Sequence, residues 1–182
     1  MAFFDDMTTA LQDYPASNVV IEIIDVVLSS GNVLNTLEQA SFKVKVRNNG
    51  PLNLTGVTLR IKGVNGAKLK SNGIAVPPVV VLPIGARTPA ASLGARTPAP
   101  PLGQFVDEIV SKVLPTIGGH VGFQTTETFT MKAPADATVG PAENLVKASL
   151  EAWDAELAHI LVGHSDPQGA VNGFYSAVVV PA

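Results

Sequence analysis

Residues 41–62 read SFKVKVRNNGPLNLTGVTLRIK. Phe42, Val44 and Val46 alternate with Lys43, Lys45 and Arg47. After Asn48-Asn49-Gly50-Pro51 the alternation returns, with Val57, Leu59 and Ile61 set against Thr58, Arg60 and Lys62. Successive side chains of a strand point to opposite faces, so each run has one apolar and one charged face. The pattern predicts antiparallel sheet with one side in water. Asn and Gly tolerate positive φ and Pro fixes the residue after them, so 48–51 is read as a turn.

Working outward, Val19 to Leu28 (VVIEIIDVVL) is β-branched and reads as a strand. Glu22 and Asp25 have opposite parity in it, which predicts a bulge or change of face near Ile24. Gly63 to Gly73 is a polar, glycine-spaced hairpin loop or short strand pair. Gly122 to Ala133 reads as one strand, with Phe123, Phe129 and Met131 on one parity and Thr126, Thr128 and Thr130 on the other. Pro134 to Gly140 is a turn. From Asn144 the period-two set Val146, Ala148, Leu150 and Ala152 favours a strand, while residues 153–162 fit strand or helix. Phe174 to Val180 closes the chain as a strand.

Between these runs the composition changes. Seven prolines fall between Pro77 and Pro101, and Gly85-Ala86-Arg87-Thr88-Pro89-Ala90 recurs as Gly94-Ala95-Arg96-Thr97-Pro98-Ala99. Proline removes a backbone donor, so no central strand runs through this segment. It suits an extended, polyproline-like arm, or a duplicated surface loop. Gln104 to Leu114 (QFVDEIVSKVL) is predicted to be a short helix. Phe105, Val106, Ile109, Val110 and Val113 share a face, acids come early, Lys112 comes late, and Pro115 is the stop. At the other end, Phe3, Phe4, Met7 and Leu11 are near helical spacing before Tyr14-Pro15. The expected layout is therefore an N-terminal arm over 1–16 and a single β-sandwich domain over 17–182, interrupted by a Pro-rich and helical insertion at 74–118.

Composition narrows the function classes. The chain has 182 residues, 46% of them apolar and 15% charged, with a formal net charge of −3. It is too apolar for a disordered chain and sparing in charge for a solitary soluble domain, which favours an assembled protein. Cationic residues are scattered apart from Lys43, Lys45, Arg47, Arg60 and Lys62, so nucleic acid is not the expected partner. That patch reads as a solvated sheet face or as a docking face for an acidic partner. The absence of cysteine excludes disulfides, thiol catalysis and cysteine-ligated zinc. The N-terminal stretch has no basic region, and Asp5 and Asp6 interrupt its apolar run, so no secretory signal is read there. No run reaches the ~18 apolar residues of a membrane-spanning helix.

Chemistry-bearing clusters are few. His159 and His164, with Asp154 and Asp166, form the one imidazole–carboxylate grouping. Two histidines five apart point to opposite faces of a strand, or lie ~140° apart on a helix, and chelate one metal poorly either way. Ser165 lies between His164 and Asp166, yet loop neighbours seldom face one another and no Gly-x-Ser-x-Gly elbow is present. Asp5-Asp6 and Asp107-Glu108 read as solvated acids. Gly63, Gly66 and Gly73 lack the Lys-Ser/Thr of a phosphate loop. Trp153 reads as a core anchor, and His120 is isolated.

Three short patterns carry a resemblance: Val46 to Gly50, Thr55-Gly56-Val57, and the run from Thr128 to Gly140 that holds Ala-Pro-Ala-Asp-Ala-Thr. Over about 100 residues outside 74–118 the chain resembles bacterial immunoglobulin-like domains of the cell-adhesion-related (CARDB) type. In that family a strand ending in Val-x-Asn-x-Gly pairs with a following Gly-Val strand. The resemblance implies a sandwich of about seven strands used in assembly and adhesion, with no catalytic residue to carry over. The expected fold is thus all-β, an immunoglobulin-like antiparallel β-sandwich with a Pro-rich loop and a short helix inserted between strands. The expected function is non-enzymatic and needs no cofactor: a structural protein of a multi-subunit object, chiefly a virion component of the capsid-associated or decoration kind. The alternative is a secreted or cell-surface adhesion module, so virion or bacterial cell surface is the expected location. Its partners would be copies of itself or other structural proteins of one assembly, met through Phe3, Phe4, Pro77, Arg87, Pro89, Arg96, Pro98, Phe105 and Ile109.

Overall fold

The computed structural model describes residues 18–29, 31, 33–76, 98–111, 113–155, 160–163 and 172–182. The strands, in chain order, are β1 (Val19–Leu28), β2 (Leu34–Asn35), β3 (Gln39–Asn48), β4 (Leu54–Gly63), β5 (Lys68–Lys70), β6 (Phe105–Val106), β7 (Glu108–Val110), β8 (Gly122–Thr125), β9 (Phe129–Lys132), β10 (Glu143–Ala155), β11 (Ile160–Gly163), β12 (Asn172–Ala177) and β13 (Val179–Val180). They make two antiparallel sheets and a parallel two-strand pair, β2 with β13. The first runs β1-β3-β9-β5-β6, with β8 beside the far half of β3. The second runs β11-β10-β4-β7, with β12 beside the near half of β10. Taking β1, β3, β4, β5, β9, β10 and β12 as strands A to G gives ABED against CFG, the immunoglobulin constant-type order.

The alternation read from 41–62 builds the core. Phe42, Val44 and Val46 of β3, and Val57, Leu59 and Ile61 of β4, are all buried, as are Leu69, Met131, Val146, Ala148 and Leu150. Phe42 and Phe129 meet at 5.8 Å with rings tilted by 46°, within the centroid range of interacting aromatic pairs. The two decisive strands do not pair with each other, however. β3 lies in the first sheet and β4 in the second, so 48–54 is a corner between layers, not a hairpin. This corrects the strand pairing that the turn pattern implies. Both strands bring an apolar face to a shared core, and facing layers bury more of that surface than one flat sheet.

A buried side chain holds this corner. Asn48 Nδ2 donates to the carbonyls of Leu52 (2.6 Å), Ile117 (3.3 Å) and Gly118 (3.3 Å), and its Oδ1 accepts from Gly50 N–H (3.1 Å). Asn53 Oδ1 accepts from Gly119 N–H at 2.9 Å. A Cβ on Gly119 would stand 2.5 Å from the Pro51 carbonyl oxygen, so glycine lets the two turns touch. At the opposite edge the layers close just as tightly, since a Cβ on Gly173 of β12 would stand 2.6 Å from the Ile21 carbonyl oxygen of β1.

The described residues of 104–114 do not form the expected helix and are extended. β6 pairs with β5, and β7 pairs with β4 through Arg60–Val110, Ile61–Ile109 and Lys62–Glu108. Leu114 and Ile117 then bridge to Val57 and Leu54. Two sheet edges with unfilled backbone groups compete with the local helix, and β-branched Val106, Ile109 and Val110 fit the pleat. Ile109 goes into the core and Val110 faces the other way. The open question at 153–162 resolves as a strand pair, Ala152–Ala155 against Ile160–Gly163. The bulge expected near Ile24 is present between Ile24 and Val27, with Asp25 at φ 52°.

Replacing Asn48 with Ala is expected to cost about 3 kcal/mol of unfolding free energy, because the Leu52 carbonyl and the Gly50 N–H lose buried partners. Urea denaturation checks this, and a loss below about 1 kcal/mol would show that water fills the corner.

Candidate functional site

The expected single strand at 122–133 is two, and the break decides what the surface displays. β8 pairs with β3 as Arg47–Phe123 and Lys45–Thr125, whereas β9 pairs as Phe42–Phe129 and Ala40–Met131. One extra residue sits between the two registers, a β-bulge. Buried Thr126 closes it: its N–H donates to the Val44 carbonyl (2.9 Å) and its Oγ1 accepts from Val44 N–H (3.0 Å). Parity therefore inverts along the run. Phe129 and Met131 face the core, while Phe123 faces out beside Arg47 and is 57% exposed.

The outer face of the first sheet gathers Lys43, Lys45 and Arg47 of β3, Lys68 and Lys70 of β5, and Lys132 of β9, together with Phe105 and Phe123. Strand pairing sets these on one side. Lys43 pairs with Asp25 (3.1 Å), Arg47 with Glu22 (3.5 Å) and Lys68 with Asp107, all substantially exposed. Lys45 lies over the Phe123 ring at 4.6 Å and Lys132 over Phe105 at 5.6 Å. Lys68 stands directly opposite Lys132 in the β5–β9 ladder, a juxtaposition that costs stability. On the second sheet Lys147 covers Phe174 in the same way, at 5.9 Å, but Arg60, bound to Glu108 at 3.2 Å, is only 8% exposed there.

A different surface forms where the ends of β1, β9 and β12 meet. β13 pairs with β2 in parallel. Leu37 N–H donates to the Pro134 carbonyl and Thr138 N–H to the Val179 carbonyl. These bonds gather 33–38, 134–143 and 178–182 into one end of the sandwich. That end presents Val33, Leu37, Val139 and Val178 to solvent, Val139 at 94%. Leu37 is 53% exposed although its φ is 61°. At the opposite end Val121 is 73% exposed at φ 76°, next to His120 at φ 53°. Positive φ is uncommon for a non-glycine residue and an outlier for a β-branched one, and burial supplies no compensation at either place.

Among the residues singled out from sequence, Phe105 and Ile109 are described and go to different places, one on the basic face and one in the core. Pro98 is exposed. Phe3, Phe4, Pro77, Arg87, Pro89 and Arg96 lie outside the described residues, as do His159, His164, Ser165 and Asp166. Asp154 and Trp153 are placed on β10 by their backbone. Asp107 and Glu108, read as solvated acids, each hold a cation, Lys68 and Arg60. Among the described residues, no group of three His, Asp or Glu could hold a metal ion. Phe123 was visible in the sequence but with the wrong facing, because no residue type announces the bulge. Leu37 carries no sequence signal at all.

No family model matches the chain, and no curated protein matches it. Among solved structures it is similar to the sporulation control protein Spo0M from Bacillus subtilis, at 9% identity and a TM-score of 0.37, over 90% of this chain and 50% of that one. The chain thus spans half the length of that protein.

Tyr175 of β12 packs against the core beneath the apolar end. Burial, and then the Glu38 carboxylate, raise its phenol above the ordinary 10.0. The folded state holds this proton more tightly than the unfolded chain, so stability is complete below pH 10 and falls as pH rises beyond it. Tyr175→Phe is expected to flatten the alkaline limb of a stability–pH curve measured by denaturant, and an unchanged limb would assign it to other groups.

Proposed function

We propose that this chain is a non-enzymatic structural protein that assembles into a multi-subunit object, and that the object is a virion in which it is a capsid-associated or decoration component. One observation carries the reading. The two ends of the sandwich each expose a large apolar side chain, Leu37 and Val121, on backbone that glycine or asparagine would occupy at lower cost. Folding alone gives no return for that choice, whereas burial against another molecule does. The low charge of the chain and the exposed Val139 beside Leu37 point the same way.

A second reading, a cell-surface adhesion module, is favoured by the ABED and CFG strand order, which is the sandwich that the CARDB-type resemblance implies. That module would dock on a foreign partner and stay monomeric alone.

Leu37→Asn and Val121→Gly separate folding from assembly. Each relieves positive φ and is expected to raise the unfolding free energy by about 0.5–1 kcal/mol, yet lower the assembled mass read by light scattering. Greater stability with unchanged assembly would remove these ends from the interface. A monomeric wild type would overturn self-assembly and leave the adhesion reading. A variant lacking 77–97 tests the Pro-rich arm, with a smaller assembled mass expected.

A further inference from the structure

The basic face of the first sheet calls for a partner that the fold itself does not supply. Its six cations face three acids, Glu22, Asp25 and Asp107, which leaves six cations against twelve acids on the rest of the chain. Among the described residues no carboxylate pairs with Lys45, Lys70 or Lys132. Exposed Phe123 and half-buried Phe105 lie under lysines there, so the face offers flat apolar area bordered by ammonium groups. The apolar end has the complementary chemistry. Residues 29–38, 133–144 and 178–182 contain Glu38, Asp136 and Glu143 and no Lys or Arg. Asp136 and Glu143 are exposed beside Val139.

We infer that the lysine–phenylalanine face of one copy receives the acidic, apolar end of a second copy. Asp136 and Glu143 meet Lys45, Lys70 and Lys132 while Val139 and Leu37 cover Phe123 and Phe105. The contact joins two different surfaces, so it is heterologous and propagates to a ring or a filament. It rests on the self-assembly reading and specifies its geometry. Each copy then neutralises its like-charged Lys68–Lys132 neighbourhood with the acids of the next, and the contact weakens with salt.

Charge exchange between two variants tests the pairing. Lys45→Glu with Lys132→Glu, and separately Asp136→Lys with Glu143→Lys, are each expected to weaken self-association by about tenfold or more by sedimentation. An equimolar mixture of the two is expected to recover mixed assemblies, because each retains one usable surface for the other. Lys45→Gln with Lys70→Gln and Lys132→Gln serves as the milder variant, with thermal unfolding confirming that it folds. Variants that assemble like the wild type would overturn the pairing, as would weakened variants that do not recover on mixing. A wild type that stays monomeric would overturn this inference together with self-assembly, whereas a wild type that assembles independently of these charges overturns this inference alone.

Discussion

The corner at Asn48 is the constraint on which the two-layer arrangement depends. A strand that leaves one sheet for the other drops its ladder partners, and the backbone groups at the crossing must find others in a dry place. Asn48 supplies both a donor and an acceptor there, fully buried, to Leu52, Ile117, Gly118 and Gly50. The same side chain ties the crossing to the turn that precedes β8. The BC crossing and the entry to the β8/β9 strand are therefore fixed relative to each other, and the bulge at Thr126 is measured from a fixed start. A hydrophobic residue at 48 would match the parity of β3 and still leave these groups unpaired, so shape alone does not replace the amide.

That chain of dependence explains what the sequence discloses and what it hides. The alternation in 41–62, the strand at 19–28, the strand from Asn144 through the period-two set Val146 to Ala152, and the bulge near Ile24 are local, period-two features, and they appear where they were read. The partner of each strand is not local. Asn-Asn-Gly-Pro is as good a hairpin turn as it is a corner, and only the burial of both apolar faces in one core distinguishes them. Segment 104–114 shows the same limit in another form. Its apolar residues suit a helix stripe, but the open edges of β4 and β5 take its backbone bonds instead, a tertiary preference that propensity does not contain.

The candidate surfaces are less legible than the fold for the same reason. Lys43, Lys45 and Arg47 are readable as an outward row from β3 alone. Their extension by Lys68, Lys70 and Lys132 requires the order β3-β9-β5, and the presence of Phe123 among them requires the bulge. The apolar end is assembled from three segments, two of them more than 90 positions apart, through the parallel β2–β13 pair and the bonds of Leu37 and Thr138. Composition hints at such surfaces only through scarcity of charge.

The outward phenylalanines bear on how the sheet faces meet water. Among the described residues Phe105, Phe123 and Phe174 point outward, and each has a lysine over its ring. A cation over an aromatic face is worth roughly 0.5–1 kcal/mol when exposed, too little to hold a fold but enough to keep a ring wet-compatible. In the proposed contact a partner carboxylate would draw the ammonium aside at little cost, because exposed charge pairs exchange cheaply, and would leave the ring beneath available for apolar contact. Leu37 and Val121 have no such cover, and they sit on backbone that resists them. The lysine-covered rings thus provide reversible apolar area, and the strained tips provide the permanent kind.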